Sequence, residues 1–293
     1  MTRRELLAAA ALRAPAGALT RFQIGCMTLP YARFPLERAL AGIAQAGHRY
    51  LGWGTTHVEA SGERKPVIDA DAPPAEVRRL ARRCRDLGLE PVMMFAAVNI
   101  EAPEAVSVHT RRIEQAAAAG IPFIITFGQI RPGAYDLWIR NLKQLGPLAR
   151  QAGVTITIKQ HGGNTATGQD CSKIIADVAD EGVRMCYDAG NVLDYENRDP
   201  IPDIQACWRD VRAFAIKDHR NTPKDEDCGP GFGEIDHYKL LLPVLRTRLN
   251  LPLVCENIFE PLLARPAAPE GVDALARRAR EFLETVVRGL QTT

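Results

Sequence analysis

The sequence lacks a long apolar run, a CxxC pair and a strong net charge, and each absence excludes a class of protein. No apolar run approaches the ~20 residues of a membrane-spanning helix, so no membrane partner is predicted. The seven cysteines are scattered, which argues against a disulfide framework or a structural zinc site. Lys and Arg total 37 against 35 Asp and Glu, without basic clusters, so no nucleic-acid partner is predicted either.

Residues 1–20 are predicted to form a segment ahead of the folded domain, which we place at residues 21–293. Arg3-Arg4, the apolar stretch that follows and Ala14-Pro15-Ala16 resemble a twin-arginine export signal, which would direct the chain to the periplasm. Arg13 interrupts an already short apolar region, and this favours a short exposed helix and a cytoplasmic protein. Both interpretations remain open at the level of the sequence.

Short apolar runs alternate with amphipathic stretches about eight times, and a glycine often separates the two. Gly47 and Gly120, for example, each stand shortly before an apolar run, where a glycine ends a helix and frees the chain to begin a strand. The pattern predicts an α/β fold, a single (β/α)8 TIM barrel. A doubly wound sheet would place a glycine-rich turn after its first strand, where this chain has Thr28-Leu29-Pro30-Tyr31. The predicted strands are 22–27, 50–53, 91–96, 123–127, 154–158, 183–187, 211–216 and 251–255.

Two further stretches are interpreted from their spacing. The apolar residues between Tyr238 and Leu249 recur at helical spacing and predict a helix. The longest insertion, Thr55 to Pro74, follows the second strand and is predicted to cover the barrel mouth.

The late strands end in polar residues, which is where an α/β barrel holds its chemistry. Because side chains alternate along a strand, Lys159 and His161 share a face on one strand, as do Lys217 and His219 on another. Converging carboxylates and ammonium groups suit proton abstraction beside a carbonyl, with a cation stabilising the enediolate.

Glu256 is the candidate base, and Lys159 and Lys217 are the other candidate catalytic residues. Each charged residue alone would more simply be a solvated or ion-paired group. The candidate substrate-binding residues are His57, His161, Asn191, Asp218 and His219.

Several motifs appear in a characteristic order: Lys159-Gln160-His161-Gly162-Gly163, Asp188-Ala189-Gly190-Asn191, Ile216-Lys217-Asp218 and Gly231-Phe232-Gly233-Glu234-Ile235-Asp236, with Glu256 ending the last strand. In this order the chain resembles the xylose isomerase-like TIM barrels, the superfamily of sugar phosphate isomerases, epimerases and endonuclease IV. The resemblance implies a divalent metal held by Glu, Asp, His and Glu at the ends of strands five to eight. Asp188 and Glu256 match this pattern, whereas Lys159 and Ala215 stand where a Glu and a His are expected.

Three interpretations of these departures remain. A divalent metal (Mn, Zn or Mg) is held by Asp188, Glu256 and His161; or Lys159 replaces the metal as fixed positive charge; or the site binds a sugar-like ligand without catalysis. An ammonium group cannot ligate a metal while it keeps its proton, so Lys159 argues against the first.

The resemblance implies a sugar or polyol isomerase or epimerase that works through an enediolate on a small-molecule, sugar-like substrate. A keto-sugar lyase or dehydratase shares the same first step, and a non-catalytic carbohydrate-binding barrel is the alternative from another class. A repair endonuclease of this fold needs several zinc ions, for which 6 His are a poor supply. The resemblance leaves a homo-oligomer open.

Overall fold

The computed structural model describes residues 19–292, and eight parallel strands within them close into a barrel. The strands are β1 (Arg21–Met27), β2 (Tyr50–Trp53), β5 (Glu90–Phe95), β6 (Phe123–Thr126), β7 (Thr155–Lys159), β8 (Val183–Tyr187), β9 (Val211–Ile216) and β12 (Asn250–Cys255). Their order around the barrel is β1-β12-β9-β8-β7-β6-β5-β2. The predicted (β/α)8 barrel is confirmed, and the predicted strands agree with these bounds to within one residue at each end.

Helices surround the barrel, and two small antiparallel hairpins stand outside it. The helices are α1 (Leu36–Gln45), α2 (Pro74–Asp86), α3 (Ala105–Ala119), α4 (Tyr135–Gln151), α5 (Gly168–Val178), α6 (Ala189–Glu196), α7 (Pro200–Cys207), α8 (His237–Leu241) and α9 (Pro269–Gln291). The hairpins pair β3 (Thr56–Val58) with β4 (Arg64–Pro66) and β10 (Asp218–Arg220) with β11 (Glu226–Cys228). Between residues 19 and 292, no helix combines the length and the apolar character needed to span a bilayer.

The core has two parts, because side chains on a barrel strand alternate between the interior and the surrounding helices. Ile156 and Ile158 of β7 belong to the larger cluster packed under the helices. Cys186, Ala213 and Ala215 belong to the smaller cluster inside the barrel. The small residues of β8 and β9 therefore occupy the interior below the polar strand ends, and the chemistry lies above an apolar floor.

The predicted helix between Tyr238 and Leu249 is only partly correct. The α-helix α8 ends at Leu241, and a 3-10 turn over Leu242–Val244 follows. Pro243 is the physical reason, because proline cannot donate the backbone hydrogen bond that continues an α-helix. The chain then turns towards β12.

The predicted insertion after the second strand, Thr55 to Pro74, forms the hairpin β3–β4. The backbone N–H of Val58 donates to Ala32 O at 3.0 Å, so the hairpin is attached to the 3-10 turn over Leu29–Tyr31. The twin-arginine motif and most of the predicted segment 1–20 lie outside the described residues.

Candidate active site at the barrel mouth

Lys159, the last residue of β7, links the two carboxylates that match the family pattern. Its Nζ donates to Asp188 Oδ2 at 2.8 Å, and to Glu256 Oε1 and Oε2 at 2.9 and 2.7 Å. Asp188 follows β8 and Glu256 follows β12, so the barrel closure brings together residues 97 positions apart. Lys159 is 3% exposed and Asp188 is fully buried, so this cluster is largely removed from water.

Charge pairing outweighs burial in setting the protonation of this cluster. Burial alone would lower the pKa of Lys159, but Asp188 and Glu256 raise it above its usual range. Burial would likewise raise the pKa of Asp188, but Lys159 and Lys217 hold it below the usual range. The ammonium and the Asp188 carboxylate therefore stay charged at neutral pH. A buried pair of this kind is tolerated only where geometry and hydrogen bonding are as complete as they are here.

Lys217 supplies a second cation directly after β9. Its Nζ donates to Asp227 of β11, and burial is outweighed by Asp188 and Asp227, so the pKa of Lys217 is raised. Gly190 lies beside the lysine chain: a Cβ at this position would lie 2.6 Å from Lys217 Cγ. A side chain there would displace Lys217 from the mouth.

A cavity of about 310 Å³ opens above these groups, at the lower end of the range for small-molecule sites. Glu256 and Lys217 both line it, whereas the buried Lys159 does not. A larger cavity of about 490 Å³ lies by α7 and α8, but it contains none of the predicted site residues, so we place the site at the smaller one. The smaller cavity is lined by Leu29, Pro30, Ala32, Lys217, Asp227, Glu256, Asn257, Phe259 and Arg265.

His161 and Asn191 lie next to the cluster. His161 Nδ1 donates to Gly128 O at 2.9 Å, because only a protonated nitrogen pairs with a carbonyl oxygen, and Nε2 is left as the acceptor. Burial lowers the pKa of His161, which favours the neutral ring. The backbone N–H of Asn191 donates to Asp188 Oδ1 at 3.0 Å, and this hydrogen bond caps the start of α6. The side-chain amide of Asn191 donates to Gln160 O. Both residues hold neighbouring loops close to the cluster.

Asp218 faces the loop after β11, and His219 faces Asp227 and Asn221; neither lines the cavity. Asp218 is fully buried, and its two oxygens accept the backbone N–H groups of His219, Ile235 and Gly231 at 2.9 to 3.1 Å. His219 Nδ1 lies 3.1 Å from Asp227 Oδ1, and its Nε2 lies 3.2 Å from Asn221 Oδ1. In this conformation both residues position the mouth loops, and substrate contact by either stays a prediction.

His57 lies apart from the cluster, in the β3–β4 hairpin. It is 1% exposed, and its Nδ1 donates to Phe34 O at 2.8 Å. Burial lowers its pKa, so the ring is neutral. Its Nε2 is buried and finds no hydrogen-bond partner within the described chain.

Metal binding by Asp188, Glu256 and His161 stays a prediction. In the described part of the chain the ligand atoms of these three residues do not all lie within 4.8 Å of one another, and the Lys159 ammonium already contacts both carboxylates. Among residues 19–292, the one group of three with that spacing is Asp194, His219 and Asp227. Burial and the neighbouring Asp227 raise the pKa of Asp194. Lys159 and Ala215 stand at two of the four ligand positions of the family pattern, so Asp188 and Glu256 alone do not supply the ligand set that the pattern implies.

The sequence alone does not single out Asp227, Asn257, Phe259 and Arg265, although all four line the cavity. Asp227 stands in a charged stretch typical of a solvated loop. The other three follow β12, in the loop that leads from Glu256 to α9. Their position next to the last strand end was the available signal.

Comparison with known proteins identifies the family. The profile described as xylose isomerase-like TIM barrel matches residues 44–284, most of the chain. No curated protein sequence matches significantly. The chain therefore belongs to the xylose isomerase-like TIM barrel family.

Solved structures of the same fold are distant in sequence. One, described as an L-ribulose 3-epimerase, is 18% identical with a TM-score of 0.69, and the match covers 92% of this chain and 95% of that one. A barrel protein from Mycobacterium smegmatis in complex with magnesium is 14% identical, with a TM-score of 0.67 and coverage of 92% and 97%. A probable 3-DHS dehydratase from Bacillus anthracis is 10% identical, with a TM-score of 0.64 and coverage of 90% and 98%. At these identities the likeness shows the fold.

Proposed function

We propose that this member of the family is a sugar or polyol isomerase or epimerase in which Lys159 takes the place of the family's metal. The observation that carries the proposal is the contact of Lys159 Nζ with Asp188 and Glu256, the two residues that match the metal-binding pattern. A buried ammonium between the buried Asp188 and the partly exposed Glu256 supplies fixed positive charge where a divalent cation would otherwise be needed. The epimerases of the same fold support the substrate class.

Each residue then has a role that follows from its position. Glu256 lines the cavity as an acceptor and removes the proton from the carbon next to the substrate carbonyl. The electron pair left on that carbon moves onto the carbonyl oxygen, and Lys217, the cation that lines the cavity, stabilises the resulting enediolate. Return of the proton to the neighbouring carbon, with the hydroxyl proton of that carbon passing to the enediolate oxygen, gives an isomer. Delivery of a proton from water to the opposite face of the first carbon, with the proton on Glu256 released to solvent, gives an epimer. Lys159 keeps Glu256 and Asp188 oriented from below.

The test is hydrogen exchange at the reacting carbon. A panel of ketoses would be incubated with the protein in deuterated water containing EDTA, and deuterium incorporation would be followed by NMR. We expect incorporation in EDTA, and a loss of about 10²- to 10⁴-fold in Glu256→Gln, as for removal of a general base. Glu260→Gln, the same change at an exposed residue of the same loop, should behave as the wild type.

Loss of exchange in EDTA, restored by Mn, would overturn the role given to Lys159. Appearance of a dehydrated product would instead assign the lyase reaction, which shares the first proton transfer. Saturable binding without any exchange would indicate the non-catalytic carbohydrate-binding barrel.

A further inference from the structure

One side of the cavity presents hydrogen-bond donors that the protein leaves without acceptors. Arg265 lines the cavity, and its guanidinium carbon lies 4.5 Å from the centre of the Phe259 ring. Within residues 19–292, no hydrogen bond or ion pair engages the Arg265 side chain. The other charged groups of the cavity are paired: Lys217 with Asp227, and Glu256 with Lys159. Arg265 is thus the cavity's unpaired charge.

Asn257 adds neutral donors to the same side. Its Oδ1 accepts the backbone N–H of Phe259 at 2.9 Å, and a backbone donor fixes which end of the amide is the oxygen. The amide nitrogen therefore points its two N–H groups elsewhere, and in the described part of the chain no acceptor meets them. Asn257 also lines the cavity, so its free donors and the guanidinium border the same space.

We propose that the substrate carries an anionic group, a carboxylate or a phosphate, which Arg265 and Asn257 bind. This inference rests on the proposed function and names its substrate class. A guanidinium presents parallel N–H groups that match the two oxygens of such an anion. Stacking on Phe259 holds the guanidinium plane in place before the ligand arrives, which reduces the ordering cost of binding.

The position of the two cations sets the orientation of the substrate. Lys217 and Glu256 lie at the strand ends, where the proton transfer is proposed, whereas Arg265 lies further along the loop that leads to α9. Leu29, Pro30 and Ala32 also line the cavity and offer an apolar surface to the carbon chain. An acyclic keto-sugar acid or keto-sugar phosphate has its anionic group and its carbonyl at separate ends, as this arrangement requires.

The experiment compares three related probes, D-fructose, D-fructuronate and D-fructose 6-phosphate. Binding would be measured by calorimetry, and deuterium exchange by NMR, on the wild type, Arg265→Gln and Arg288→Gln. Arg288 is an exposed arginine near the end of α9 and outside the cavity, so it controls for the loss of one positive charge. We expect the wild type to prefer at least one anionic probe over fructose. Arg265→Gln should reduce that preference about 10- to 100-fold, as for loss of a charge-assisted contact, while Arg288→Gln keeps it.

The outcomes separate this inference from the proposed function. Exchange on fructose with no preference for either anion, or a preference that Arg265→Gln leaves intact, would overturn the inference and leave the proposed function standing. Arg265-dependent binding of an anion without exchange on any probe would support the anion site and contradict the proposed chemistry. A preference for one anion alone would identify carboxylate or phosphate as the group recognised.

Discussion

Two lysines at the ends of β7 and β9 carry the same charge but stand in different surroundings. Lys159 contacts two carboxylates through its single Nζ and lies below the cavity, with a side chain 4% exposed. Lys217 pairs with Asp227, whose side chain is 33% exposed, and lines the cavity. The difference separates two tasks that one metal ion performs elsewhere: holding the carboxylates in place, and facing the substrate oxygen.

The largest expected effect comes from removing each of the two ammonium groups in turn. Lys159→Met leaves Asp188 and Glu256 close together without a cation, and breaking a buried pair in this way costs about 3–5 kcal/mol. Lys217→Met should cost less than half as much, because Asp227 is accessible to water and Asp188 keeps its ion pair with Lys159. Urea unfolding at pH 7 measures both free energies of unfolding. Equal losses would contradict the structural role assigned to Lys159.

A second change restores the family's ligands and tests whether the Lys159 ammonium prevents metal binding. In Lys159→Glu/Ala215→His, both departures from the metal-binding pattern are reversed, and we expect Mn or Zn to bind with about one equivalent in calorimetry. Ala215→His alone is the matched control, because it adds the imidazole but keeps the ammonium that repels the ion. All proteins would also carry Asp194→Asn, so that the separate group of Asp194, His219 and Asp227 does not contribute. Metal binding by the control as strong as by the double variant would remove Lys159 as the obstacle.

Comparison of the two lysines also shows what the sequence could predict. Apolar runs and glycines were sufficient for the barrel, and strand alternation placed both lysines at its mouth. Neither pattern shows that Lys159 Nζ contacts Asp188 and Glu256, because that depends on strands distant in sequence and on the stagger of the closed barrel. The same limit applies to Arg265, whose relation to the cavity depends on how an irregular loop folds. Local periodicity predicts strand ends, but the contacts between those ends require the three-dimensional structure.

The smallest expected effect is on the pH dependence of stability, and it concerns two buried histidines outside the charged cluster of the mouth, His48 and His109. Burial lowers the pKa of His48 and of His109 to about 4, so both are neutral in the folded protein, while the unfolded chain takes up protons near pH 6.5. Because its pKa is lowered on folding, each histidine makes its full contribution to the free energy of unfolding above pH 6.5 and loses it as the pH falls towards 4. Between pH 6.5 and 5, protonation of the unfolded chain at each histidine should lower the free energy of unfolding by roughly 2 kcal/mol. In urea unfolding over this range, His109→Gln should remove the share of His109, roughly 2 kcal/mol, from the loss. An unchanged slope in His109→Gln would show that the acid sensitivity comes from other groups, with the ion pairs of the mouth first among them.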